Sequence, residues 1–259
     1  MSRRHGATEV GGDADGATEV GGDADGAAAS REPAALLRFD VVERCAHWAN
    51  ALLFAVLVAT ALPLYFPAVE GAVGRRALVA EIHLWAGLAW PVPLCVSLAG
   101  PWGAQLRQDL RRLNRWSGEE LRWLRSAGRL HVAGERADKF NPGQKLNAAF
   151  TAGVVVVMLV SGSILKWFAA FPLSWRTGAT FVHDLLAWLV VVVVAGHVLF
   201  AVTHPQSLRS MVTGRIDATW ARRHAGRWAA ERLGPAREAS AQRAAAAGPT
   251  APPTTEPAR

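Results

Sequence analysis

The chain has 259 residues, 51% of them hydrophobic and 19% charged, with a mean hydropathy of +0.15 and a formal net charge of +7. An apolar share of this size, with the charge crowded into a few blocks, excludes an ordinary soluble globule and points to an integral membrane protein. The basic excess fits anionic lipid headgroups or partner proteins and needs no nucleic acid.

Residues 6–15 and 16–25 are the same decapeptide, GATEVGGDAD, written twice. Rich in Gly and Asp with almost nothing apolar to bury, residues 1–37 are expected to be a disordered acidic leader. The spacing of oxygen-bearing residues is not that of a calcium loop. No apolar core occurs in the first forty residues, so no cleavable export signal is expected before the first span.

Four apolar stretches follow, at about Ala46–Phe66, Ile82–Leu98, Ala148–Phe168 and Leu185–Thr203. Each approaches the roughly 20 residues a helix needs to cross a hydrocarbon core of about 30 Å. In lipid these segments must be helical, because a helix satisfies its own backbone groups. The expected fold is an all-α membrane protein, a four-transmembrane-helix bundle over residues 38–232 with disordered termini. Between the second and third spans, the loop 101–145 carries ten Lys or Arg against five Asp or Glu. Its stretch Trp116–Leu130 reads as an amphipathic helix lying on the membrane surface. Basic residues also follow the fourth span, from Arg209 to Arg232, whereas the opposite connections carry mainly Arg75, Arg76 and Arg176. This bias places both termini and the loop in the cytoplasm. Residues 233–259, rich in Ala, Pro and Thr, are expected to be a second disordered tail. Trp48, Trp167 and Trp175 fall near the interfaces, where indole rings settle.

Four histidines sit near the ends of these spans and match in depth as two pairs, His47 with His197 and His83 with His183. His183 and His197 are fourteen residues apart, about 40° from the same face and about 21 Å apart in rise. A buried polar group in hydrocarbon requires a partner. Facing imidazoles are what a haem iron takes above and below its ring, and bis-imidazole ligation suits electron transfer rather than oxygen binding. The bundle is therefore expected to enclose two b-type haems, with His47, His83, His183 and His197 as axial iron ligands. Gly87, Gly153, Gly162 and Gly196 permit close approach of a macrocycle or of another helix. His204, seven residues beyond His197 on nearly the same face, is the rival ligand. His5, His131 and His224 read as solvent-facing. Cys45 and Cys95 form no CxxCH, zinc or iron–sulfur pattern and read as packing residues.

From about Arg38 to Glu231 the sequence resembles the di-haem cytochrome b (gamma) subunit of respiratory formate dehydrogenases. The resemblance rests on Arg44-Cys45-Ala46-His47-Trp48, on Lys139-Phe140-Asn141-Pro142-Gly143-Gln144-Lys145, and on His183 and His197. It extends to Gly214-Arg215-Ile216, Trp220-Ala221-Arg222-Arg223-His224 and Arg227-Trp228. It implies the same haem pairing, His47 with His197 on the cytoplasmic side and His83 with His183 on the periplasmic side. It also implies a quinone site, for menaquinone or ubiquinone, at Asn141, Gly143, Gln144 and His197. Pro142 stands where the family commonly has a small residue, which removes one backbone donor. Asn141 and Gln144 can donate to and accept from a quinone oxygen. The same residues also suit an ordinary helix start, with Asn as cap and Pro in the first turn.

The resemblance implies a multi-pass subunit of the bacterial inner membrane. It would take electrons from a periplasmic iron–sulfur beta subunit and reduce quinone on the cytoplasmic side. By the same resemblance, formate oxidation would occur in a separate catalytic alpha subunit, because this sequence has no metal-pterin or iron–sulfur framework. A higher oligomer of the complex is compatible with this reading. The alternatives are a cytochrome b anchor of a hydrogenase or other respiratory dehydrogenase, and a non-haem membrane scaffold.

Overall fold

A computed structural model describes residues 33–127, 129, 134–234 and 242. The duplicated leader, nearly all of the tail, His5 and His131 lie outside the described residues. Helix α1 (Val41–Tyr65) starts at Asp40, whose carboxylate accepts the Glu43 amide at 2.8 Å while the Glu43 carboxylate accepts the Asp40 amide at 2.9 Å. This reciprocal cap satisfies two amides that a helix start leaves without partners. A short helix, α2 (Pro67–Val73), closes on Gly74 at φ 64° and turns the chain into the second span. That span is two helices, α3 (Arg76–Ala89) and α4 (Val92–Ala99), broken at Trp90 and Pro91. Proline has no amide hydrogen to continue the ladder, so the break falls there.

Two amphipathic helices, α5 (Ala104–Leu113) and α6 (Gly118–Arg125), occupy the basic loop. The expected helix Trp116–Leu130 is thus shorter than read. It starts at a Ser117–Glu120 capping box and ends before Ala127, which takes φ 50°; Leu130 lies outside the described residues. Helices α7 (Pro142–Lys166) and α8 (Leu173–Thr203) form the third and fourth spans. α9 (Pro205–Thr213), α10 (Ala218–His224) and a helical stretch over residues 226–234 follow.

Among the described residues the structure is all-α apart from one antiparallel strand pair, β1 (Ala35–Leu37) with β2 (Arg215–Asp217), in register Leu36 opposite Ile216. β1 uses the last residues of the segment read as leader. Leu36 and Ile216 pack with Ala218, Ala221, Ala225, Trp228, Ala229 and Leu233 into a small core beside the bundle.

Among the described residues, four helical segments are long and apolar enough to cross a membrane: Val41–Tyr65, Arg76–Ala99, Pro142–Lys166 and Leu173–Thr203. All begin before the apolar stretch that announces them, and the fourth begins at Leu173 rather than Leu185. Their first turns hold polar residues that a hydropathy window excludes but a helix tolerates. In α8 only Ala179 and Val190 are buried by the protein itself. Large apolar side chains stand exposed along the spans, Phe181 at 67% and Val192 at 66% among them. Such surface is stable only against an apolar solvent, so the chain is a multi-pass membrane protein.

Candidate functional site

Helices α1 and α8 bring His47 and His197 together with ring centroids 6.4 Å apart, and α3 and α8 bring His83 and His183 together at 6.5 Å. Two imidazoles sharing one metal through bonds of about 2.0–2.1 Å, with about 1.1 Å from nitrogen to ring centre, have centroids about 6.3 Å apart. Both pairs have that spacing, so the donor set fits an axially ligated haem iron. His83 and His183 are internal to α3 and α8 rather than at their starts. His47, His83 and His183 are half-buried by protein, and His197 is exposed.

The two pairs lie on separate levels. Along the unbroken α8, His183 and His197 differ by about 21 Å in rise. Along α1, His47 and Thr60 differ by thirteen residues, about 20 Å, and the Thr60 hydroxyl lies 2.8 Å from His83 Nδ1. Opposite, Ser161 of α7 lies 3.0 Å from His183 Nδ1. Gly162 makes room for that imidazole, since a Cβ there would stand 3.3 Å from His183 Cε1. Sequence reading missed Thr60 and Ser161. Their only signal was a hydroxyl inside an apolar helix.

The Arg44–Trp48 segment clasps α9. Arg44 Nη1 donates to the Val212 carbonyl at 2.5 Å, and Trp48 Nε1 to the Met211 carbonyl at 3.3 Å. His47 lies between these two grips, so the clasp also fixes its helix against the chain leaving α8. Gly214, at φ 79°, closes α9 where a Cβ would stand 2.5 Å from the Phe39 carbonyl. His204 caps α8 instead of joining a pair: its Nδ1 lies 2.9 Å from the Phe200 carbonyl and its ring stacks on Phe200 at 3.9 Å. His224 is exposed and stacks on Trp220. Cys45 and Cys95 are free and exposed, not packed as expected. They face outward, where a thiol costs little against an apolar surrounding.

The segment from Lys139 to Lys145 is held by ion pairs that sequence reading did not anticipate. Lys139, with its side chain fully buried, pairs with Asp109 and lies 3.8 Å from Glu43. Burial pushes its pKa down, against the raising pull of Asp109 and Glu43. The neighbouring Arg38, whose Nη2 donates to the Lys139 carbonyl at 3.4 Å, is lowered by burial to about 10, opposed by Asp109. Asp138 accepts from Arg112 at 2.7 Å and from Arg227 at 3.1 Å. Against the upward push of burial, the Lys139 amide and these two guanidinium groups hold its carboxyl below the usual range. Lys145, also fully buried, donates to Glu120 and to the Arg115 carbonyl, both at 2.6 Å.

Asn141 caps α7. Its Oδ1 accepts the Gln144 amide at 2.8 Å, and Gln144 Oε1 accepts the Asn141 amide at 3.0 Å. The cap uses one acceptor of each side chain and leaves Asn141 Nδ2 and Gln144 Nε2 free of it as donors, a narrower capacity than sequence suggests. Gly143 has room for more than a hydrogen. Asn141 precedes Ser161 by twenty residues, about 30 Å of rise, which puts it about 9 Å beyond the level of His47 and His197. Among the described residues no hydrogen bond joins Asn141 or Gln144 to His197.

A family model described as prokaryotic cytochrome b561 matches residues 38–214, a range holding all four paired histidines and the 139–145 motif. The chain belongs to the prokaryotic cytochrome b561 family. The chain is similar to the cytochrome b556(fdo) subunit of formate dehydrogenase from Escherichia coli (strain K12). They are 26% identical over 203 residues, covering 74% of this chain and 91% of that protein. The cytochrome b556(Fdn) subunit of the nitrate-inducible formate dehydrogenase of the same strain is 21% identical over 203 residues, covering 74% and 89%. The formate dehydrogenase cytochrome b556 subunit of Haemophilus influenzae (strain ATCC 51907 / DSM 11121 / KW20 / Rd) is 22% identical over 207 residues, covering 76% and 84%. This cytochrome b561-family chain is thus a distant relative of those subunits.

Proposed function

We propose that this chain is the membrane electron-transfer subunit of a formate dehydrogenase-type complex. It would receive electrons from an iron–sulfur partner at the His83/His183 level and deliver them to a quinone beyond the His47/His197 level. The observation that carries this reading is the pair of imidazole spacings, 6.4 and 6.5 Å, on two levels of one bundle. His47 with His197, and His83 with His183, are the residues that would hold two b-type haems. Such a group, held by two imidazoles, supplies one-electron transfer with little rearrangement.

The remaining roles belong to the protein. The four helices exclude water and hold the imidazoles in register. Asn141 Nδ2 and Gln144 Nε2 are assigned as donors to a quinone oxygen, beside Gly143 and about 9 Å beyond the level of His197. The basic end formed by α5 and α6 is placed in the cytoplasm of a bacterial inner membrane, from which quinone reduction takes its protons. Formate oxidation is assigned to a catalytic partner subunit.

Pyridine haemochrome measurement on the intact complex is expected to return two b-type haems per chain. His183→Ala is expected to remove one of them and keep the other. A wild-type preparation whose reduced-minus-oxidised spectrum lacks a b-type alpha band would leave a non-haem scaffold instead. Two haems retained in the His183 variant would overturn that ligand assignment.

A further inference from the structure

The two histidine pairs are not chemically equivalent. The Thr60 hydroxyl donates to the Val56 carbonyl, 2.7 Å away on its own helix, while lying 2.8 Å from His83 Nδ1. The Ser161 hydroxyl donates to the Val157 carbonyl at 2.8 Å while lying 3.0 Å from His183 Nδ1. A hydroxyl has one proton, and in both cases a backbone carbonyl takes it. What each oxygen has left for its histidine is a lone pair. Nδ1 must then carry the hydrogen and donate, which fixes the tautomer and leaves the Nε2 lone pair free for a metal. Among the described residues, the rings of His47 and His197 make no such hydrogen bond.

We propose that Thr60 and Ser161 are positioning residues that lock His83 and His183 as Nδ1–H donors. By this they make the His83/His183 centre the lower-potential one of the two. The inference rests on the proposed haem occupancy and adds to it a direction. An imidazole that donates from Nδ1 gains electron density at Nε2 and becomes a stronger ligand. A stronger donor favours the more highly charged ferric state, so the potential falls. Both axial ligands of one centre carry this hydrogen bond, and their effects add. Electron transfer from the His83/His183 level to the His47/His197 level would then be downhill, toward the end where Asn141 and Gln144 lie. Val and Ala at these positions would keep the helices and both imidazoles but remove the acceptor.

The test is a spectroelectrochemical titration of the intact complex, wild-type and variant, with haem content and the low-spin ferric EPR spectrum measured on the same samples. Wild-type protein should show two one-electron waves. Thr60→Val and Ser161→Ala should each raise the lower wave and leave the upper one in place. The expected change is at least threefold in the oxidised-to-reduced ratio at fixed potential, about 28 mV at about 59 mV per tenfold for one electron. Thr60→Ser, which returns the hydroxyl, should restore the wave. Two haems with both waves unmoved in both variants would overturn the inference and leave the proposed function intact, as would a shift confined to the upper wave. Wild-type complex without b-type haem would remove both. Because the two variants act on opposite ligands, loss of haem in one leaves the other to decide.

Discussion

At the scale of single residues, the decisive fact about His204 is what its ring already touches. It lies one residue beyond the last turn of α8, stacked on Phe200 with Nδ1 at the Phe200 carbonyl. His197 instead sits 6.4 Å, centre to centre, from His47. His204→Ala is therefore expected to keep both haems, while His197→Ala loses one, as read by pyridine haemochrome. The opposite pattern would transfer the ligand role to His204. The spacing of fourteen between His183 and His197 was legible in the sequence because it returns a helix to nearly the same face. Topology then supplied their partners on α1 and α3. Thr60 and Ser161 were not legible, since a lone hydroxyl in an apolar helix more often bonds its own backbone. Here each does so and serves a histidine as well, and only the packing of α1 on α3 and of α7 on α8 reveals it. The burial of Lys139 and Lys145 was hidden for a related reason. Their partners, Asp109 and Glu120, are 30 and 25 residues away.

At the scale of the element, α7 begins where two readings of Asn141 meet, as helix cap and as quinone donor. The structure gives the cap to Oδ1 and leaves Nδ2 over, so the readings are compatible and separable by substitution. Asn141→Asp keeps an oxygen acceptor well suited to capping but removes the amide donor. Asn141→Ala removes both, and the lost cap alone costs roughly 0.5–2 kcal/mol of stability. Both variants should reoxidise more slowly with a soluble quinone analogue at subsaturating concentration. A lost hydrogen bond of roughly 0.5–1.5 kcal/mol weakens binding about 2- to 13-fold. Only the Ala variant should also lower the thermal midpoint. Stopped-flow spectroscopy reads the first effect and a melting curve the second. Normal reoxidation in the Asp variant would return Asn141 to a purely structural role. The helix itself was readable from its apolar run, as were the other three spans. The start of α8 was not, because Trp175, Arg176, Thr177 and Asp184 interrupt the apolar signal without interrupting the backbone ladder. The β1–β2 pair was hidden more deeply, since Leu36 and Ile216 meet across nearly the whole described chain and three-residue strands carry no periodicity.

At the scale of the whole molecule, the two ends of the bundle differ in how they are built. One end carries α5, α6, α9, the strand pair and α10, tied by Lys139–Asp109, Lys145–Glu120 and the Arg112–Asp138–Arg227 cluster. Among the described residues, the other end has α2 and the short connection between α7 and α8, with two exposed ion pairs, Arg76–Glu70 and Lys166–Glu81. Much of the basic charge at the larger end is unburied arginine, including Arg122 and Arg125. Arginine left at an interface without need for burial is what the positive-inside bias acts on, so the larger end should face the cytoplasm. Both native cysteines are exposed, so a labelling experiment must begin from a Cys45→Ser, Cys95→Ser background. In that background Arg125→Cys, on α6, should react with a membrane-impermeant thiol reagent only from the cytoplasmic side. Ala72→Cys, on α2, should react only from the opposite side. Both positions are exposed in the structure, so a failure to label from one side reports the membrane and not burial. The result fixes more than orientation. If Arg125→Cys labels from outside, the Asn141 end opens away from the cytoplasm, the His83/His183 level faces it, and the proposed donor and quinone exchange compartments. The same histidine geometry would then run its electrons inward, and protons for quinone reduction would come from the wrong side for the proposed function.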